Sequence, residues 1–267
     1  MPLAVCATPI GNLEDVTLRV LRELTEADVV LAEDTRHTRR LLERHGIDAA
    51  LLSYHEHNEA KRSAEVLPRL EAGERLALVS DAGMPGINDP GGRLVAAALA
   101  AGVDVTVLPG PSAVETALVG SGLVAERYQF VGYLPRRERA LADLAEQLAA
   151  WPWPVVAFES PQRLPRSLPV LARAMPDRPA AVCRELTKRF EEVARGSLAE
   201  LAARFVEPVK GEVTLVLGEG ARGRADEAAA VAAVAELVAT GVPRRQAADV
   251  VARLTGAARN RLYRSSL

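Results

Sequence analysis

Residues 79–91 read VSDAGMPGINDPG, with three glycines, two prolines and two aspartates directly after the apolar run Leu76–Val79. Glycine admits positive φ and close backbone approach, and proline fixes φ and removes a donor. A plain connection needs one such residue, so this density marks a loop shaped around a ligand. Amides freed at Gly83, Gly86 and Gly110 suit a small polar ligand, and Pro9, Pro85 and Pro109 offer flat apolar walls. The loop is no nucleotide motif of the common kinds. GxxxxGK[ST] is absent, and TPIGNLED has one glycine where a dinucleotide fingerprint after the first strand needs GxGxxG.

Such a loop has to be held by a scaffold, and the first 110 residues supply one. Short apolar runs, LAVCA (3–7), DVVLAE (28–33), LLSY (51–54), LALVSD and DVTVLPG, alternate with helical patterns, the first of them with Leu18, Val20, Leu21 and Leu24 on its apolar face. Strands that are apolar throughout, alternating with helices, predict a parallel five-stranded sheet covered on both faces. In open parallel sheets, ligands sit outside the carboxyl ends of the strands. Those ends read TPIGNLED, AEDTRHT, SYHEHNE, the glycine-rich loop and LPGPSAVE, whereas TEAD, GIDA, AGER and AGVD at the opposite ends are plain turns. The site is expected on the first side.

Five further strands are expected at Tyr128–Tyr133, Pro154–Phe158, Ala180–Cys183, Glu191–Ala194 and Glu212–Gly218. The last two are expected to pair antiparallel, giving a mixed sheet. The fold class is therefore α/β, with two α/β domains, an interdomain cleft and a small C-terminal helical tail. The expected boundaries are 1–111, 112–220 and 221–267, the tail having Val231, Val234 and Val238 on its apolar positions.

Composition narrows the class. The chain is 49% hydrophobic and 25% charged with net charge −2, ordinary for a globular protein. Residues 242–267 nevertheless hold six arginines (Arg244, Arg245, Arg253, Arg259, Arg261, Arg264) against the single acid Asp249. Cys6 and Cys183 lie inside apolar runs and read as buried free thiols. No apolar stretch approaches the roughly 18 residues of a membrane span, and the run Leu3–Ala7 is too short for a signal-peptide core. A cytoplasmic protein without a membrane partner is expected.

Beside the cleft, Arg36 is expected to meet substrate phosphate. Arg163 in FESPQR and Arg184 in RELTK are expected to do the same from the second domain, and His55 is a candidate substrate contact. Ser112 and Glu115 fit a capping box at a helix start that faces the cleft. The four histidines lack the ligand spacing of a metal centre, so no metal is expected.

TPIGNLEDVT, AEDTRHT, SYHEHNE, SDAGMPGINDPG, LPGPSA, FVGYLPR, FESPQRL and CRELTKRFEE, in this order, resemble the bacterial 16S ribosomal RNA cytidine-2′-O-methyltransferases, of the tetrapyrrole-methylase superfamily. The resemblance covers about residues 3–220, more weakly the tail, and departs at Phe158 and Gln162, where the family shows YESPHRL. It implies S-adenosylmethionine as cofactor, 16S rRNA in the small ribosomal subunit as partner, and a homodimer. By motif it implies cofactor contacts at Ile10, Gly11, Ser80, Asp81, Ala82, Ile87, Ser112, Ala113, Glu159 and Leu186; the glycine-rich loop adds Gly83.

The implied chemistry is an in-line displacement at a methyl carbon, from sulfonium sulfur to a ribose 2′-oxygen. A carboxylate base would contribute about 10²–10⁴-fold, and alignment more, since effective molarities reach about 10⁵–10⁸ M. Asp34, Asp81 and Glu159 are the candidates for base or orienter. Competing readings are a sister methylase acting on a tetrapyrrole or a protein, and a non-catalytic ribosome-assembly binding module.

Overall fold

A computed structural model describes residues 2–220, 224–255 and 257–265, so residues 221–223, which open the expected tail, lie outside the described residues. Strands β1 (Leu3–Cys6), β2 (Val29–Ala32), β3 (Leu51–Ser53), β4 (Leu76–Val79) and β5 (Val105–Leu108) alternate with helices α1 (Leu18–Glu26), α2 (Thr35–Arg44), α3 (Glu59–Glu71) and α4 (Gly92–Ala100). All four pairings are parallel, in the order β3-β2-β4-β1-β5.

Side-chain alternation explains why these strands are apolar at every position. Leu3, Val5, Leu76 and Leu78 face one layer with Val66, Leu70 and Leu94, while Ala4, Cys6, Ala77 and Val79 face the other with Val20, Leu24, Leu41 and Leu42. Helices cover both faces, as continuous apolar strands require. In α1 the core positions are Val20 and Leu24; Leu18, expected on the same face, is 79% exposed because it is the first residue after the Thr17 cap and points away from the sheet.

The second half contains α5 (Ala113–Ser121), β6 (Gln129–Tyr133), α6 (Glu138–Ala149), β7 (Val155–Glu159), α7 (Leu164–Ala174), β8 (Pro179–Arg184), β9 (Glu192–Ser197), α8 (Leu198–Arg204) and β10 (Val213–Leu217). Its sheet is mixed, in the order β6-β7-β10-β8-β9, with β6–β7 parallel and the other pairs antiparallel. The expected pairing of the last two strands does not form, because β8 lies between them. β8 is the more apolar strand and takes the interior place, whereas β9 carries Glu192 and Arg195 and suits an edge.

Helices α6, α7 and α8 cover one face of this sheet. On the other face α5 buries Val114, Ala117 and Leu118 against Val156, Ala181, Cys183 and Val216, and Ile10 from the first half joins that cluster. The loop after β1 thus packs into the hydrophobic layer on the second sheet.

Helices α9 (Arg224–Ala239), α10 (Arg244–Thr255) and α11 (Arg259–Ser265) follow. They enclose their own small core of Ala230, Val234, Ala247, Ala248, Val251 and Leu262, with Val231 and Val238 packed at its edge. Among the described residues, no helix is long and apolar enough to cross a membrane.

Candidate active site

The loop after β4 is pinned from two sides. The Thr8 amide donates to the Gly83 carbonyl (2.8 Å), the Gly83 amide returns a bond to Thr8 (3.0 Å), and the Thr8 hydroxyl donates to the Ser80 carbonyl (3.0 Å). At the far end the Gly91 amide donates to Glu59 Oε1 (2.9 Å), which also accepts from the buried Tyr54 hydroxyl (3.2 Å). Gly83, Gly86 and Gly91 have φ of 75°, 85° and 136°, and Asn88 has φ of 61°. The glycine density therefore has a backbone cause: an L side chain would be strained at each of the three.

The facing wall carries a second shaped loop. Glu185 and Thr187 have positive φ (53° and 64°), which sets the intervening Leu186 into the cleft. The Thr187 hydroxyl accepts from the Asn12 amide (3.0 Å), and a Cβ on Gly11 would stand 2.6 Å from Lys188 Cγ, so a glycine is required where the loops of the two halves touch.

Between these loops is a cavity of about 460 Å³. Ile10, Asp81, Ala82, Gly83, Ile87, Ser112, Ala113 and Leu186 line it, all expected from the sequence. Also lining it, and missed, are Glu33, Asp89, Glu115, Tyr128, Phe130, Tyr133, Phe158, Cys183, Glu212 and Thr214. Glu33 and Asp89 stand in the very loops at the carboxyl strand ends, which was the available signal. Phe130 and Tyr133 stack edge-on against Phe158 with centroids 4.9 and 5.5 Å away, so Phe158 is the centre of an aromatic wall. Burial pushes the Cys183 thiol up to about 11, which keeps it protonated and unreactive.

Other expected site residues lie behind the cavity or beside it. Ser80 is buried and donates to the Ala82 carbonyl (3.3 Å). Asp34 caps α2 through the Arg36 amide (2.8 Å) and binds the Arg36 guanidinium with both oxygens; the bond from Arg36 holds its carboxyl well below the usual range. Glu159 is 2% exposed and accepts from the Ser160 amide, the Ser167 hydroxyl and the Arg163 guanidinium. Arg163 also donates to the Leu134 carbonyl (3.1 Å). Arg184 is held across β8–β9 by Glu192 and donates to the Lys210 carbonyl (3.1 Å). His55 bonds Asn58 (3.2 Å), and its Nδ1 is buried without a partner. The Ser112–Glu115 box does not close on the backbone: the two side chains bond each other and Tyr128 donates to Glu115, while a full capping box forms at Ser197 and Glu200 instead.

The electrostatic character of the cavity is one-sided. Glu33, Asp81, Asp89, Glu115 and Glu212 line it, and among the described residues no lysine or arginine does. Glu212 is balanced by Lys188 (2.8 Å) and Glu115 by two hydroxyl donors, leaving Glu33, Asp81 and Asp89 as an uncompensated acidic group. The Asp34 amide donates to Asp81 Oδ1 (3.0 Å) and the Asp81 amide to Glu33 Oε2 (3.3 Å), tying the ends of β2 and β4 together. Among the described residues no group of three or more His, Cys, Asp and Glu side chains is placed to hold a metal ion. A cavity of this kind favours a cationic, partly apolar ligand and repels phosphate.

Comparison with known proteins places this geometry. Residues 2–202 match the family of tetrapyrrole (corrin/porphyrin) methylases. A protein of Micromonospora olivasterospora, "Ribosomal RNA small subunit methyltransferase I", is 46% identical over 265 residues, which cover 98% of this chain and 85% of that one. Its namesake in Mesorhizobium japonicum is 42% identical over 268 residues, covering 99% of this chain and 91% of that one. Among solved structures, uroporphyrin III C-methyl transferase from Thermus thermophilus superposes with a TM-score of 0.60 at 22% identity, covering 81% of this chain and 97% of that chain. A diphthine synthase superposes with a TM-score of 0.62 at 17% identity, covering 81% and 89%. At such identities these two share the fold. With the family match and the relatives' full-length identity added, the chain belongs to the tetrapyrrole (corrin/porphyrin) methylases, in the branch of the ribosomal RNA small subunit methyltransferases I.

Proposed function

We propose that the protein transfers a methyl group from S-adenosylmethionine to the ribose 2′-hydroxyl of a cytidine in the 16S RNA of the small ribosomal subunit, acting in the cytoplasm as a homodimer. The observation that carries the reading is the cavity between the two sheets, acidic without a lining cation and walled by Phe130, Phe158 and Leu186. S-adenosylmethionine bears a sulfonium and an ammonium and presents a flat base, which fits both properties. Ala82, Gly83, Ser112 and Ala113 would hold it through backbone groups, with Ile10 and Leu186 closing the apolar sides. Gly11, Ser80 and Glu159 support those loops from behind.

When bound, the cofactor supplies a methyl carbon activated by positively charged sulfur. Transfer forms the bond from the ribose oxygen to that carbon as the carbon–sulfur bond breaks and its electron pair returns to sulfur. The hydroxyl proton leaves to a base. Asp81, tied by the Asp34 amide, orients the loop at which this takes place. The same acidic lining keeps phosphates outside, so the RNA has to present a splayed-out nucleotide rather than a regular helix.

Labelled methyl from the cofactor is expected to enter unmodified small subunits and to make one 16S linkage resistant to alkali, since a 2′-O-methyl group blocks cleavage. Label in a tetrapyrrole or a protein, or none at all, would refute the reading. A sedimentation mass of a single chain would refute the homodimer.

RNA phosphates have to meet cations elsewhere. Arg163 and Arg184 are committed inside the second domain and Arg36, though exposed, is paired with Asp34, whereas the tail residues Arg245, Arg253 and Arg264 are exposed. Because the tail helices pack around their own core, deleting residues 221–267 is expected to weaken subunit binding while leaving cofactor affinity nearly unchanged. The log–log salt slope should flatten by about 0.7 per lost phosphate contact on single-stranded RNA. Equal losses for cofactor and RNA, or an unmoved slope, would show the tail to be structural.

A further inference from the structure

Each carboxylate around the cavity can be sorted by what already holds it. Asp34 is locked to Arg36, and Glu159 to Arg163, Ser160 and Ser167. Glu212 is paired with Lys188, and Glu115 accepts from Ser112 and Tyr128. Asp81 accepts the Asp34 amide (3.0 Å). Glu33 accepts the Asp81 amide. Asp89 is held differently: among the described residues it forms no ion pair and accepts no backbone amide, and the Ser80 hydroxyl stands near it.

We infer that Asp89 is the general base of the methyl transfer, taking the proton of the attacking ribose hydroxyl at the cavity surface. The inference rests on the methyl-transfer reading above and names the base that it leaves open. In the step, the O–H bond breaks as the proton passes to an Asp89 oxygen, the 2′-oxygen binds the methyl carbon, and sulfur leaves neutral with the electron pair of the broken carbon–sulfur bond. The proton then passes to solvent.

Three features favour Asp89. It lines the cavity between the two shaped parts of its loop, with Asn88 beside it at positive φ and in contact with β6, since a Cβ on Gly132 would stand 2.9 Å from Asn88 Oδ1. The neighbouring wall presents Tyr133 and no cation to the cavity. Burial, followed by the Glu33 charge and, more weakly, the Asp81 charge, pushes the Asp89 carboxyl up to about 6 against the opposing Ser80 bond. A base of that strength is mostly ionised at neutral pH yet accepts a proton more readily than an ordinary aspartate.

The groups that face it are Glu33 from the end of β2, with His55 behind; Asp81 and Ser80 from its own loop; and Tyr133 from β6, with Glu212 and Arg163 farther along that wall. A bound cation lowers the pKa of Asp89, so with the cofactor saturating, the rate should fall in acid with a midpoint at or somewhat below about 6.

Single-turnover methylation of unmodified small subunits at saturating cofactor tests this, with Asp89→Asn as the near-isosteric variant, Asp89→Glu as partial rescue and Glu33→Gln as comparison. For Asp89→Asn we expect a loss of about 10²–10⁴-fold in rate, disappearance of the acid limb, and unchanged melting temperature. Asp89→Glu should restore part of the rate and the limb. An Asp89→Asn rate within threefold of wild type overturns the inference, as does an acid limb that survives in it or vanishes only in Glu33→Gln. So does a variant that binds the cofactor weakly yet reaches the wild-type rate at saturation. If the unaltered protein transfers no methyl to subunits, the methyl-transfer reading fails first and this inference with it.

Discussion

Replacing Gly83 with valine is expected to weaken S-adenosylmethionine binding by about 10–100-fold, as strain of about 1–3 kcal/mol at a disallowed φ is passed to the loop. The cause is conformational and not a lack of room. A Cβ at this position would find Ile10 Cγ2 and the Pro111 carbonyl no nearer than 3.9 Å, but φ of 75° is hostile to a β-branched side chain. To relax, the valine backbone has to leave the pair of amide bonds shared with Thr8, and the cradle opens. Gly83→Ala should show a smaller loss because it meets the same φ without branching. Titration calorimetry with the purified variants measures both. Unchanged affinity in the valine variant would show that this loop does not hold the cofactor.

The largest stability effect is expected at Arg178, far from the cleft. Its side chain is buried and donates to the carbonyls of Gly218 (2.9 Å), Leu148 (2.6 Å) and Trp153 (2.9 Å). One guanidinium thus joins the end of α6, the chain before β7 and the exit of β10. Arg178→Met removes three donors at once, although the Leu148 carbonyl keeps the Trp151 amide (3.0 Å), and at about 1–3 kcal/mol for each group that loses its bond the loss is expected near 2–4 kcal/mol after relaxation. That is a large part of the total of about 5–15 kcal/mol typical of a native protein. Arg178→Lys should recover little, because an ammonium cannot fork to three directions at these positions. Denaturant melts check both variants; a loss below about 1 kcal/mol would show that water replaces the guanidinium.

The fold was largely legible because its signals are local. An apolar run such as Leu76–Val79 followed by a glycine-rich stretch announces a buried strand and its loop, and ten such runs became the ten strands among the described residues. The place of β9 was not legible. Antiparallel partners are chosen by burial across the whole sheet, and nothing near Glu192 states that Cys183, rather than Thr214, will face Val193. At the site, the rule that ligands gather at carboxyl strand ends found the loops, and the backbone-shaping Gly83 came with them, whereas Leu186 came from the resemblance alone. Side-chain commitments escaped it. Arg163 and Glu159 read as cleft residues, yet four positions apart at a helix start they satisfy each other. Phe130 and Phe158 read as strand interior, and only the packing of β6 beside β7 turns them into a wall.

The order β3-β2-β4-β1-β5 also constrains how the chain is born. β1 leaves the ribosome well before both its neighbours, β4 and β5, with Leu3 beside Leu76 and Val105 in the folded sheet. At a synthesis rate of about 5–20 residues per second, the apolar segment Leu3–Cys6 waits roughly 4–15 s before either partner exists. During that interval it is a sticky, unpaired strand on a nascent chain, and the first domain acquires its central strand only when translation has passed β4.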